Sequence, residues 1–215
     1  MYSVRIKLVL LTILLSSPVM AAMFIPDSAI VQQKLNKGYR LSHKLPDLAV
    51  SLYREAIMMA DSQKIVSHAI ASAKINLANY EYYRGNTSPA ISLALSAMEY
   101  YKQTGDERQE AGAMILIGDV LRATRLFDQA YSYLLQAEKK ITKLNDNLLM
   151  AKVYNRLAAT ELDDTVNRRD SVDRHASLSL AIARSLKDDT LIYNNLNILG
   201  VLEKKKKNYR KSMNY

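Results

Sequence analysis

Ala49-Tyr53-Ala56, Ala90-Ala94-Ala97, Ala130-Leu134-Ala137 and Ala176-Leu180-Ala183 each place three apolar residues at i, i+4 and i+7. That spacing is one stripe on one helix. Four other small residues, Ala78, Gly118, Ala158 and Gly200, follow one another at intervals of 40, 40 and 42. An apolar residue precedes each of them: Leu77, Ile117, Leu157 and Leu199. β-branched residues do not alternate with polar ones, and glycine and proline are few, so the pattern predicts helices and argues against a β-rich fold.

The two sets of small residues interleave. Ala90 follows Ala78 at the same offset at which Ala130 follows Gly118. Each period therefore reads as two antiparallel helices around a short turn. Polar or broken stretches fill the turn positions: Arg84–Pro89, Ala123–Phe127 and Lys204–Asn208. Pro89 suits the first turn of a helix, where its missing N–H is harmless. Asp106, Asp146 and Asp188 all stand at one fixed offset ahead of the next small residue, where a side chain caps the incoming helix. The fourth period departs, because Asp163–Arg174 lengthens its inner turn by six residues. The expected units are 27–60, 64–104, 107–144, 147–187 and 190–215, the last incomplete.

A glycine inside a helix costs about 1 kcal/mol relative to alanine. Gly118 is explained if two helices cross there, since close approach needs the absence of a large side chain. One pair cannot bury its apolar face alone, so the stack is the fold.

These residues resemble the tetratricopeptide repeat (TPR) family. Met114, Ile117, Gly118, Leu121, Phe127, Ala130, Leu134 and Ala137 carry the resemblance best, and Tyr209 stands where Phe127 does. It runs from about Asp27 to Tyr215, strong in the second and third units and degraded in the fourth. The resemblance implies an all-α fold, an α-α superhelix (solenoid) of about four and a half helix pairs with a ~40-residue period. That period is longer than the family's usual one and is similar to the variant in bacterial regulators. It implies a protein or extended peptide as partner, held in a concave groove lined by the first helix of each unit.

With the small residue of each unit as reference, the groove-facing candidates are Asn76, Asn79, Tyr82, Tyr83, Asp119, Arg122, Lys152, Asn155, Arg156, Asn194 and Asn197. Asparagine and arginine there can hydrogen-bond an extended backbone. Of the family's carboxylate-clamp residues only Asn79, Lys152 and Arg156 have counterparts, and Ile75 and Leu116 replace two others. The tyrosines at 82/83, 100/101, 131 and 133 are expected in inter-helix packing.

The net charge of +9 first suggests nucleic acid, but its distribution does not. Arg5 and Lys7 lie at the start, and Lys204 to Lys207, Arg210 and Lys211 lie in an acid-free tail. Setting those eight aside from the 30 basic residues leaves 22 against 21 acidic, too balanced for a phosphate-binding face. The first 22 residues read as a secretory signal: Arg5 and Lys7, an apolar run from Leu8 to Leu15, then Pro18 and Val19-Met20-Ala21-Ala22. The remainder, 23–215, is expected as one exported repeat domain, periplasmic or otherwise extracytoplasmic, with no membrane span in the mature segment and a membrane anchor only if the leader stays uncleaved or the chain continues. Leader plus repeats is similar to the extracytoplasmic N-terminal halves of bacterial membrane-bound sensors. The alternative expectation is therefore an N-terminal fragment of such a regulator, with a histidine kinase or DNA-binding output domain beyond residue 215.

Candidate chemistry is sparse. There is no cysteine, which excludes thiolate catalysis and disulfides. His43, His68 and His175 form no local pair of metal-helix type and are expected exposed or partly packed. Asp163, Asp164, Asp170 and Asp173 are interleaved with Arg168, Arg169 and Arg174, which describes a solvated loop and not a cation site. No phosphate loop, nucleophile elbow or kinase signature occurs, so neither enzyme activity nor a cofactor is expected.

Overall fold

The computed structural model describes residues 27–164 and 171–206. The leader-like segment 1–22, the middle of the long inner turn with Arg168, Arg169 and Asp170, and the expected second helix of the fifth unit with Tyr209 lie outside the described residues. Every element among the described residues is helical, apart from turns. The chain divides into two compact units, Met1–Val66 and Ser67–Tyr215.

The first unit holds α1 (Asp27–Leu41) packed on α2 (Pro46–Ser62). The second holds α3 (His68–Tyr83), α4 (Thr87–Thr104), α5 (Glu107–Ala123), α6 (Phe127–Leu144), α7 (Asn147–Asp163), α8 (Val172–Leu186) and α9 (Asp189–Lys205). Within it α3 pairs with α4, α5 with α6, and α7 with α8, and each pair stacks on the next. The first helices α3, α5, α7 and α9 also touch in sequence, which makes them one continuous row. The second unit is thus the all-α solenoid that the repeat pattern predicts. None of its described helices is long and apolar enough to cross a membrane.

The small residues lie at the helix crossings. Ala78, Ala90, Ala94, Ala130, Ala137, Ala158, Ala176 and Ala183 are all fully buried. Gly118 faces Leu134 and the Ala130 carbonyl across the α5–α6 contact. Gly38 faces Tyr53 and the Ala49 carbonyl across α1–α2 in the same way. Gly38 precedes Ala78 by the same interval that separates Ala78 from Gly118, so the period begins one unit earlier than the small-residue series from Ala78 suggests.

The caps work as the sequence requires. Asp106, Asp146 and Asp188 accept from the backbone N–H of Gln109, Leu149 and Leu191 at 3.1, 2.9 and 3.0 Å. Ser67 does the same for Ile70 at the start of α3, at 3.3 Å. The preceding helices end in left-handed residues, Gly105, Asn145 and Lys187, which turn the chain into the next pair.

His175 departs from expectation. It is buried, and its Nδ1 lies 2.9 Å from both oxygens of Glu161, itself fully buried on α7. The Tyr154 ring stacks on the imidazole with centroids 5.8 Å apart. Glu161 and His175 stand on opposite sides of the long turn, so no i, i+4 search could pair them. Tyr101 is buried as packing, with its hydroxyl 3.2 Å from Ser72 Oγ and its ring edge-on to His68.

Candidate binding groove

The row α3–α5–α7–α9 encloses a groove of about 330 Å³ in the second unit. Its apolar lining comes from Ile75, Ile115, Leu116 and Leu191. Gly112 opens it further, since a Cβ there would meet nothing within 4 Å. Ile75 and Leu116 are the two apolar residues that stand at clamp positions in the sequence, while Ile115 and Leu191, one helical turn before Asp119 and Asn194, were not expected there.

Eight of the eleven expected groove residues line this space: Asn79, Tyr82, Tyr83, Asp119, Lys152, Asn155, Arg156 and Asn194. Three are placed differently. Asn76 and Asn197 are exposed and outside the lining. Arg122 also lies outside the lining and is bound to Asp119 and Asp163. Asp188 and Thr190 join the lining from the start of α9.

A chain of charges and amides runs along the wall. Asp119 Oδ1 accepts from Arg122 Nη2 at 3.0 Å and Nε at 3.2 Å, while Arg122 Nη1 donates to Asp163 at 2.6 Å. The other Asp119 oxygen lies 2.9 Å from Arg156 Nε. Arg156 Nη1 donates to Asn155 Oδ1 at 2.7 Å, and Asn155 Nδ2 donates to Asn195 Oδ1 at 2.9 Å. Asn195 Nδ2 then donates to Ser179 Oγ and the Leu191 carbonyl, both at 2.8 Å, and Ser179 donates to the Ala151 carbonyl at 2.7 Å.

Burial works against the Arg122 charge, but Asp119 and Asp163 outweigh it and hold its pKa above the ordinary arginine value. The Tyr82 phenol is pushed up, by burial first and by the Asp119 charge second. Asp119 is therefore spent on two guanidinium groups and is structural. Lys152 is exposed and makes no ion pair with a described residue. Asn194 is half-buried, and Tyr83 is 80% exposed at the groove edge. Among the described residues no group of three or more metal-ligating side chains occurs.

The sequence matches no family model and no curated protein. Solved structures of the same fold do match. BtubC (BKLC) from P. vanneervenii shares 18% identity over 88% of each chain, with a TM-score of 0.65. A Rap protein complexed with competence and sporulation factor shares 15% over 90% of this chain, with a TM-score of 0.74. The nearly identical TPR-like repeats of a Podosopora anserina kinesin light chain share 11% over 89% of this chain and 93% of theirs, at 0.67. This chain spans about half the Rap protein, 54% of its length. The fold is that of TPR-like helical repeat proteins.

Proposed function

We propose that the groove of the second unit binds an extended segment of a protein or peptide, without catalysis. The observation that carries this is the lining itself: four aliphatic residues bordered by exposed Lys152, half-buried Asn79 and Asn194, and exposed Tyr83 on consecutive first helices. An extended chain offers backbone groups to such amides and alternate side chains to the apolar part. A volume of about 330 Å³ accommodates a few residues, not a folded domain. A Rap protein that contains this fold is known complexed with competence and sporulation factor, which supports the reading. Selection of a random peptide display library on residues 23–215 tests the reading. Enrichment that Gly112→Leu abolishes supports it, and enrichment indifferent to that plug overturns it.

The same reading places the binding outside the cytoplasm, on the strength of the basic start, apolar run and small-residue site within the first 22 residues. Fusion of those residues to a reporter enzyme active only after export tests that part. An inactive fusion removes it. The sensory form, in which an output domain follows residue 215, requires that peptide binding alter the activity of the longer protein.

A further inference from the structure

We infer that Asn195 is a positioning residue of the groove, acting through Asn155 to fix the Arg156 guanidinium toward the bound segment. This rests on the groove reading for what Arg156 does, but the geometry stands independently of any ligand.

Donors and acceptors fix the amides one after another. The Ala151 carbonyl only accepts, so the Ser179 hydroxyl, 2.7 Å away, donates to it. That leaves a Ser179 lone pair facing Asn195, 2.8 Å away, which must be met by an N–H. The Leu191 carbonyl, also 2.8 Å from Asn195 Nδ2, demands the second N–H of the same amide. Both hydrogens of Asn195 are then committed, and its oxygen is forced toward Asn155. Asn155 must turn its own nitrogen to that oxygen, at 2.9 Å, which leaves its oxygen for Arg156 Nη1 at 2.7 Å. Two backbone carbonyls on α7 and α9 thereby dictate the direction of an amide in the groove wall.

The consequence is geometric. Arg156 Nε lies 2.9 Å from an Asp119 oxygen and Nη1 donates to Asn155, which leaves Nη2 without a hydrogen bond to a described residue. A guanidinium tied at two of its three nitrogens loses little freedom when the third engages a ligand. Asn195 and Ser179 are fully buried and outside the lining, so neither touches what binds. Asn195 also sits beside Asn194, which does line the groove, so α9 contributes one contact residue and one positioning residue at adjacent positions.

The test uses the full chain without ligand. The Arg156 side-chain Nε–H signal is identified in a nitrogen–proton NMR spectrum by its loss in Arg156→Lys. In Asn195→Leu, of similar volume and unable to accept, exchange of that proton with water should rise roughly tenfold, as the loss of one charge-assisted restraint implies. The Arg122 Nε–H, on the other oxygen of Asp119 and further from Asn195 along the chain, should change much less. Asn155→Ala should reproduce the effect and, because it only removes atoms, keeps the test open if Asn195→Leu fails to fold. Unchanged Arg156 exchange in a folded variant of either kind overturns the inference. So does an equal rise at Arg122, which would mean general loosening. A peptide selected on the wild type should bind Asn195→Leu and Arg156→Ala with equal loss, and their double variant with no further loss. If no peptide is selected, the groove reading fails while the exchange result still decides the role of Asn195.

Discussion

A Cβ placed on Gly118 would lie 2.7 Å from Leu134 Cγ and 3.3 Å from the Ala130 carbonyl oxygen. Leu134 is fully buried and cannot retreat without opening the α5–α6 crossing. Gly118→Ala should therefore destabilise the protein despite the gain of about 1 kcal/mol in helix propensity. Gly118→Leu should cost on the order of 1–3 kcal/mol by overpacking. Gly112, earlier on the same helix, meets nothing, so Gly112→Ala should raise stability by up to about 1 kcal/mol, read as a higher denaturant midpoint. Midpoints that move in the same direction for the two alanine variants would refute the crossing-point account.

How much of this was legible in the sequence depends on whether a signal is local. Gly118, Ala130 and Leu134 repeat at fixed offsets and carry the helix pairs directly. Gly38 was harder to see, because Lys37 replaces the apolar residue that precedes the other small positions, and Ala49 arrives one position sooner than the repeat offset requires. The polar row along α3, α5 and α7 was legible from the repeat register, since equivalent positions share a face. Asn195 was not, because nothing local distinguishes it from exposed Asn197 or half-buried Asn194. Its burial comes from α7 and α8, through Asn155 and Ser179, partners remote in sequence.

Asp146 combines a cap and an ion pair, and the two can be separated. Partial burial works against its charge, but the Leu149 N–H and the Arg108 guanidinium, 2.8 Å away, hold its pKa below the ordinary aspartate value. Its contribution is thus fully present above pH ~4, the ordinary aspartate range, and is lost as pH falls through the lower folded value. Asp146→Ala should cost about 1 kcal/mol at pH 7. Asp146→Asn should keep most of the cap and flatten the fall in stability below pH ~4. Urea midpoints measured across the acid range check both, and an unchanged acid limb in Asp146→Asn would remove the linkage.

Glu161 and His175 join α7 to α8 inside the core. Removing one partner of such a pair leaves the other buried without its hydrogen bonds, at a cost of roughly 3–5 kcal/mol. Glu161→Leu alone should therefore be severely destabilising. Glu161→Leu combined with His175→Phe should recover most of the loss, because neither buried polar partner is left alone and Tyr154 can stack on the new ring. Thermal or denaturant unfolding of the two singles and the double forms a complete cycle. A double variant no more stable than the worse single would show that the pair is needed as such.

The groove makes the sharpest functional prediction at Lys152, which lines it without belonging to the network of ion pairs in its wall. Lys152 is exposed and pairs with no described residue, so Lys152→Glu should change stability by less than about 0.5 kcal/mol. If the groove holds a peptide, the same change should alter affinity for a selected sequence, and more so at low salt, since the altered charge borders the lining. Asn79→Ala with Arg156→Ala should weaken binding by roughly tenfold or more while helicity is kept. Lys139→Ala, on the exposed surface of α6, should leave affinity as it was. Titration of a labelled peptide against the wild type and these three variants at two ionic strengths supplies the comparison. Equal affinity in the Asn79/Arg156 variant and in Lys139→Ala would remove the assignment of the groove, whatever else the protein binds.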